Sequence, residues 1–140
     1  VFLCEYPYEG QILVDGKELQ NMPQSWQTNI IGYLGHDPEL FNDSVENNVL
    51  LGDSKSSDTY LNAACMKQEV AEMTDGKNTL IGSGGAYLSG GQAKRLAFAR
   101  TMCHDKPILI LDDPFSALDK NTEKQAFVNC KRSQKTASCF

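Results

Sequence analysis

A chain of 140 residues with 41% hydrophobic and 22% charged side chains has the composition of an ordinary globular domain with a real core. Thirteen Lys and Arg against eighteen Asp and Glu leave a net charge of −5, without the long basic stripe that nonspecific nucleic-acid binding needs. The longest purely aliphatic run, Ile108 to Leu111, is far too short to span a bilayer.

The N-terminal VFLCEYPYEG has no basic stretch ahead of its apolar residues, so a signal peptide is not expected and a cytosolic chain is. Cys4, Cys65, Cys103, Cys130 and Cys139 are odd in number and show no CxxC spacing; free thiols are expected, and no zinc site. GQILVDGKEL (10–19) reads as a strand entering a turn at Asp15-Gly16. NIIGYLG (29–35) reads as a second, mostly buried strand, and Pro38 in the following HDPELF prevents its continuation. Ser44 or Asp43 can cap a helix through VENNVLL, with Glu46 three residues after Asp43 and Gly52 at its end. Residues 57–73 read as helix in one or two pieces, which makes 42–78 a mainly helical block. A further helix runs from about Gly90 to Cys103, with Leu96, Ala97, Ala99 and Met102 as its apolar stripe. PILILDDP follows as a strand buried on both faces, as in a parallel sheet, and ends in two carboxylates. NTEKQAFVNCKRS opens a last helix, capped by Asn121 or Asp119, and KTASCF points to one more strand.

Two stretches carry chemistry. In LSGGQ (88–92), a helix start offers unpaired N–H groups and a partial positive charge to an anion. Gly90 and Gly91 let an oxyanion approach the backbone, Ser89 adds a hydroxyl, and Gln92 adds an amide for a ribose or phosphate. The bland alternative is a glycine turn before an ordinary helix cap. In ILILDD, a buried strand delivers Asp112 to the C-terminal edge of a sheet, where α/β folds bind ligands. Asp112 could hold Mg²⁺ in part through water, and Asp113 could polarise an attacking water. An isolated pair of this kind would be no more than an acidic turn.

The order of these pieces is more specific than either piece. Asp112 lies twenty residues after Gln92, and SALD (116–119) follows. This order resembles the ATP-binding cassette (ABC) transporter nucleotide-binding domain of the exporter type: LSGGQ resembles its signature, ILILDD its Walker B strand, SALD its D-loop. IGYLGHDPELFNDSVENNVLLG resembles the Q-loop and the start of the helical subdomain, and TLIGSGG the segment before the signature. The resemblance spans essentially residues 9–128. It implies an α/β fold, a partial P-loop NTPase core (1–41 and 94–140) with a mainly helical subdomain (42–93) inserted between strands.

The resemblance further implies ATP and Mg²⁺ as cofactors, a second cassette and transmembrane domains as partners, no nucleic acid, and a place on the cytoplasmic side of a membrane. It assigns Ser89, Gly90, Gly91 and Gln92 to the partner's nucleotide, with Asp112 on Mg²⁺ and His36 beside it. Asp113 would act on the attacking water, and the D-loop Ser116 and Asp119 would lie at the dimer interface. Departures are visible too. No GxxxxGK[ST] loop occurs in the 140 residues, and in the family it would precede the GQILVDG strand. Within the 140 residues no histidine stands after SALD, where the family has its switch histidine. His36 stands where the family has glutamine, Asp113 where it has glutamate, and Ser83 where exporters often carry glutamate. These substitutions fit a second reading, a non-hydrolytic cassette that supplies its signature to a partner's ATP site. A third is a soluble ABC ATPase without a membrane domain.

Overall fold

The computed structural model describes residues 7–115 and 120–133. Two-residue strands β1 (Leu13–Val14) and β2 (Lys17–Glu18) pair antiparallel across Asp15-Gly16. Both turn residues have positive φ, 50° and 75°, the conformation a two-residue hairpin demands and an Asp-Gly pair supplies. The predicted strand at 10–19 is thus the arms of a small hairpin. Helix α1 (Gln24–Ile30), which the apolar pattern does not announce, follows Pro23. Its buried Gln27 donates to the carbonyls of Leu19 (3.1 Å) and Met22 (3.1 Å), anchoring it to the preceding turn. Strand β3 is consequently shorter than predicted, Ile31–Leu34, because Asn29 and Ile30 close α1.

β3 pairs in parallel with β4 (Ile108–Leu111), in the register Ile31–Ile108 through Leu34–Leu111. The parallel pairing follows the sequence expectation, but burial of β4 on both faces does not: only Leu109 is buried, and Ile108, Ile110 and Leu111 are half-buried. Among the described residues β3 is the sole partner of β4, so the other hydrogen-bonding edge of β4 is unpaired among them.

The helical block consists of α2 (Val45–Leu50), α3 (Ser57–Ala63) and α4 (Lys67–Glu72), the last two being the pieces of the predicted 57–73 helix. Ser44 caps α2 by accepting from Asn47 N–H at 3.1 Å. The proposed Asp43/Glu46 box does not form, because Ser44 places Asn47 rather than Glu46 at the third helical position. Asp43 instead accepts from Ser44 N–H and the Asn47 amide, and Glu46 turns to the Ser57 hydroxyl and Lys77. The helix stops at Leu51, itself left-handed (φ 47°), one residue before the expected glycine.

Helix α5 (Gly90–Cys103) has the predicted bounds and is the centre of the core. Leu96, Ala97, Phe98, Ala99, Met102 and Cys103 are buried against α2, α3 and β3. Phe98 meets Phe115 edge-on, ring centroids 5.0 Å apart. Helix α6 (Lys120–Ser133) starts one residue before Asn121, so Asn121 lies inside the first turn and is not its cap. Asp119, Ser116 and the KTASCF segment lie outside the described residues.

Candidate functional site: the start of helix α5 and the edge of β3 and β4

Ser89 is extended (φ −66°, ψ 157°) and caps α5, its Oγ accepting from Gln92 N–H at 3.2 Å. Gln92 answers with its Oε1 on Ser89 N–H at 2.9 Å, a reciprocal capping box. Gly90 and Gly91 fill the first two helical positions, whose N–H groups have no acceptor within the helix. Space around Gly90 is open: a Cβ there would meet no atom within 4 Å. Gly90 therefore relieves no internal crowding, and its bareness bears on whatever approaches from outside. The Ser89 hydroxyl proton and these two N–H groups make an exposed, anion-seeking turn.

Behind this turn lies a network that sequence reasoning missed. Glu69 of α4 accepts two bonds from Arg95, at 2.6 and 2.9 Å, and one from Gln92 Nε2 at 3.0 Å. Arg95 also donates to the carbonyls of Cys65 (3.1 Å) and Gly91 (3.3 Å). The Arg95 bonds, and secondarily Gln92, hold the Glu69 carboxyl below its ordinary range against the opposing effect of burial. Arg95 did leave a signal: it occupies the same helical stripe as Ala99 and Met102, where a cation must find a partner. Glu69 left none, since nothing in the sequence of α4 marks one of its carboxylates as the partner of Arg95.

A second network fixes the loop after β3. Asn48, fully buried, accepts Phe41 N–H (2.9 Å) and donates to the carbonyls of Phe41 and Ser44 (3.0 Å each). Arg100 of α5 donates to Asn48 Oδ1 (2.8 Å), Asn48 O (2.7 Å) and Glu39 O (2.8 Å), and its guanidinium stands 5.0 Å from the Phe41 ring centroid. Gly85, at φ 76°, lets the turn before the signature lie on Leu40; a Cβ there would come within 2.9 Å of its Cδ1. His36, on this loop, is exposed and lines an open groove of about 780 Å³ with Gly90, Gly91 and Lys94.

Asp112 and Asp113 do not line that groove and are exposed at the C-terminal edge of the parallel pair. Asp112 N–H donates to Leu34 O at 2.8 Å, extending the ladder one bond past the strand, and Asp113 is left-handed at φ 48°. Because Leu34 pairs with Leu111, His36 and Asp113 each emerge two residues beyond the same rung. Among the described residues no group of three or more His, Cys, Asp or Glu is placed to hold a metal ion. Asp112 alone suits Mg²⁺ only as one ligand among water and phosphate oxygens. Ser116 and Asp119 fall outside the described residues, and no described helix is long and apolar enough to cross a membrane.

The ABC transporter family profile matches residues 2–116. The mitochondrial iron-sulfur clusters transporter ATM1 of Yarrowia lipolytica is 39% identical over 125 residues, 86% of this chain and 18% of that protein. The ATP-dependent lipid A-core flippase of Cupriavidus pinatubonensis is 40% identical over 126 residues, 85% of this chain and 21% of that protein. A solved structure of a bacterial Atm1-family ABC exporter with ATP bound superposes with a TM-score of 0.87 at 31% identity, covering 97% of this chain and 25% of its own. The chain thus spans about a fifth of the length of these relatives.

Proposed function

The chain belongs to the ABC transporter family with the P-loop NTPase fold of its ATP-binding domain, and on that premise we propose that it is part of an exporter-type cassette whose signature turn completes an ATP site on a second cassette. The observation that carries this reading is the exposed start of α5, where the N–H groups of Gly90 and Gly91 lack an acceptor within the helix and the space at Gly90 is open. A terminal phosphate held by the partner cassette suits that turn in charge and in donor geometry.

On its own side, Asp112 would hold Mg²⁺ together with water and nucleotide phosphate, with His36 near that ion, and the metal would supply charge neutralisation to phosphoryl transfer. Asp113 would orient the attacking water, with less reach than the family's glutamate. Ser116 and Asp119 would link the two sites across the dimer. The proposal keeps the division into a core (1–41, 94–140) and a helical subdomain (42–93), with α5 crossing the boundary between them. The cassette would dock on the cytoplasmic side of transmembrane domains, which select the cargo.

The test is ATP hydrolysis by the complete transporter. Ser89→Glu sets a carboxylate against the incoming phosphate and removes a donor, so turnover should fall at least about 100-fold, the scale of losing one donor to a developing oxyanion. Undiminished turnover in Ser89→Glu would contradict the assignment.

A further inference from the structure

The geometry points to Glu69 as a positioning residue for the signature turn, an inference that rests on the proposed role of Ser89, Gly90 and Gly91. Gln92 is a primary amide with one end that donates and one that accepts. Either end could face Ser89, and only one orientation closes the capping box: Oε1 must meet Ser89 N–H. Within the turn only the Ser89 N–H favours that choice, and one bond does not fix it. Glu69 does, because an ionised carboxylate only accepts, so it can receive Nε2 and repels the amide oxygen. The same carboxylate takes two bonds from Arg95, which in turn holds the Gly91 carbonyl. One side chain on α4 thereby sets both the cap and the second residue of the turn. Arg95 also neutralises it, so a carboxylate can sit behind a phosphate-seeking turn without opposing the phosphate.

Glu69→Gln keeps size and most packing but offers a donor as well as an acceptor, so the Gln92 amide can rotate and Ser89 N–H loses its fixed partner. In the complete transporter, kcat for ATP should fall at least about tenfold with KM within about twofold, since the turn would be misplaced while nucleotide capture on the partner is untouched. Amide hydrogen exchange should quicken at Ser89 while the amides of Leu96 to Met102 keep their protection. Gln92→Leu removes the same link from the other side, leaves the Glu69–Arg95 pair in place, and should reproduce both effects should Glu69→Gln not fold.

Unchanged kcat in both variants, with Ser89→Glu inactive, would overturn the positioning role and leave the function standing. Faster exchange along the whole of α5 with unaltered kcat per folded molecule would overturn it too, since Glu69 would then serve stability alone. Active Ser89→Glu would remove the functional reading beneath it.

Discussion

Asp113 holds a backbone conformation, φ 48°, that most side chains avoid and that aspartate tolerates because its short carboxylate can bond locally. The residue that favours this turn is thus also the one whose carboxylate is a methylene shorter than the family's. Asp113→Glu should raise ATP turnover of the complete transporter at least about tenfold if reach is what limits water activation. The same change should lower Tm by a few degrees, as the longer side chain bears about 1 kcal/mol of left-handed strain. A faster, slightly less stable variant is expected; a slower one would place Asp113 off the attacking water. Glu69 gives a pH prediction. Its carboxyl titrates below the ordinary 4.5, first because of Arg95, so the native state favours the charged form. Its contribution to stability is complete above pH 4.5 and is lost as pH falls through its lower native value. Melting followed from pH 7 downward should show that decline, and Glu69→Gln should make it shallower, the lowered Asp43, Glu46 and Asp58 contributing to the rest.

Helix α5 connects the two networks: its first turn is braced by Glu69 and Arg95, and its third by Asn48 through Arg100. Burial lowers the Arg100 pKa, but a guanidinium remains charged and must keep its acceptors. Arg100→Met deletes three hydrogen bonds and leaves the Asn48 and Glu39 carbonyls without that donor, a loss of about 2–4 kcal/mol. Exchange at Phe41 N–H, which Asn48 accepts, should quicken more than exchange along α5; equal change at both would show that Arg100 does not pin the loop selectively. The bounds of α5 were legible because caps and stripe agree: Ser-Gly-Gly before an apolar period. α1 was not, since its buried residue is Gln27, whose amide reaches back to Leu19 and Met22, a polar tie that no apolar period announces. The cap of α2 was left open between two residues for a similar reason. Asp43 and Ser44 are both good caps, and the choice was settled by the backbone bonds Val45 N–H to Thr79 O and Ile81 N–H to Asp43 O, which join distant segments.

Across the whole molecule, one core under α5 supports two chemically different edges. Phe98 is fully buried and packs on Phe115, which leads out of the Asp112-Asp113 turn. Phe98→Ala should cost about 3–5 kcal/mol, enough to threaten the fold, and denaturant unfolding would measure it. The placement of LSGGQ and of the twin aspartates was readable from spacing alone. What spacing did not carry is the place of the loop after β3: His36 lines the groove at the start of α5 with both glycines, while Asp112 and Asp113 do not line it and leave β4 beside that same loop. Such an arrangement suits two half-sites, each completed by another molecule. The most direct measurement of that claim is MgATP-driven closure of the cassettes in the complete transporter, read as a distance between probes on the two cassettes, in the native protein and in Ser89→Glu. The account predicts that MgATP shortens the distance in the native protein and leaves it unchanged in Ser89→Glu. Equal closure in both would mean that the signature turn of this chain does not meet the partner's nucleotide.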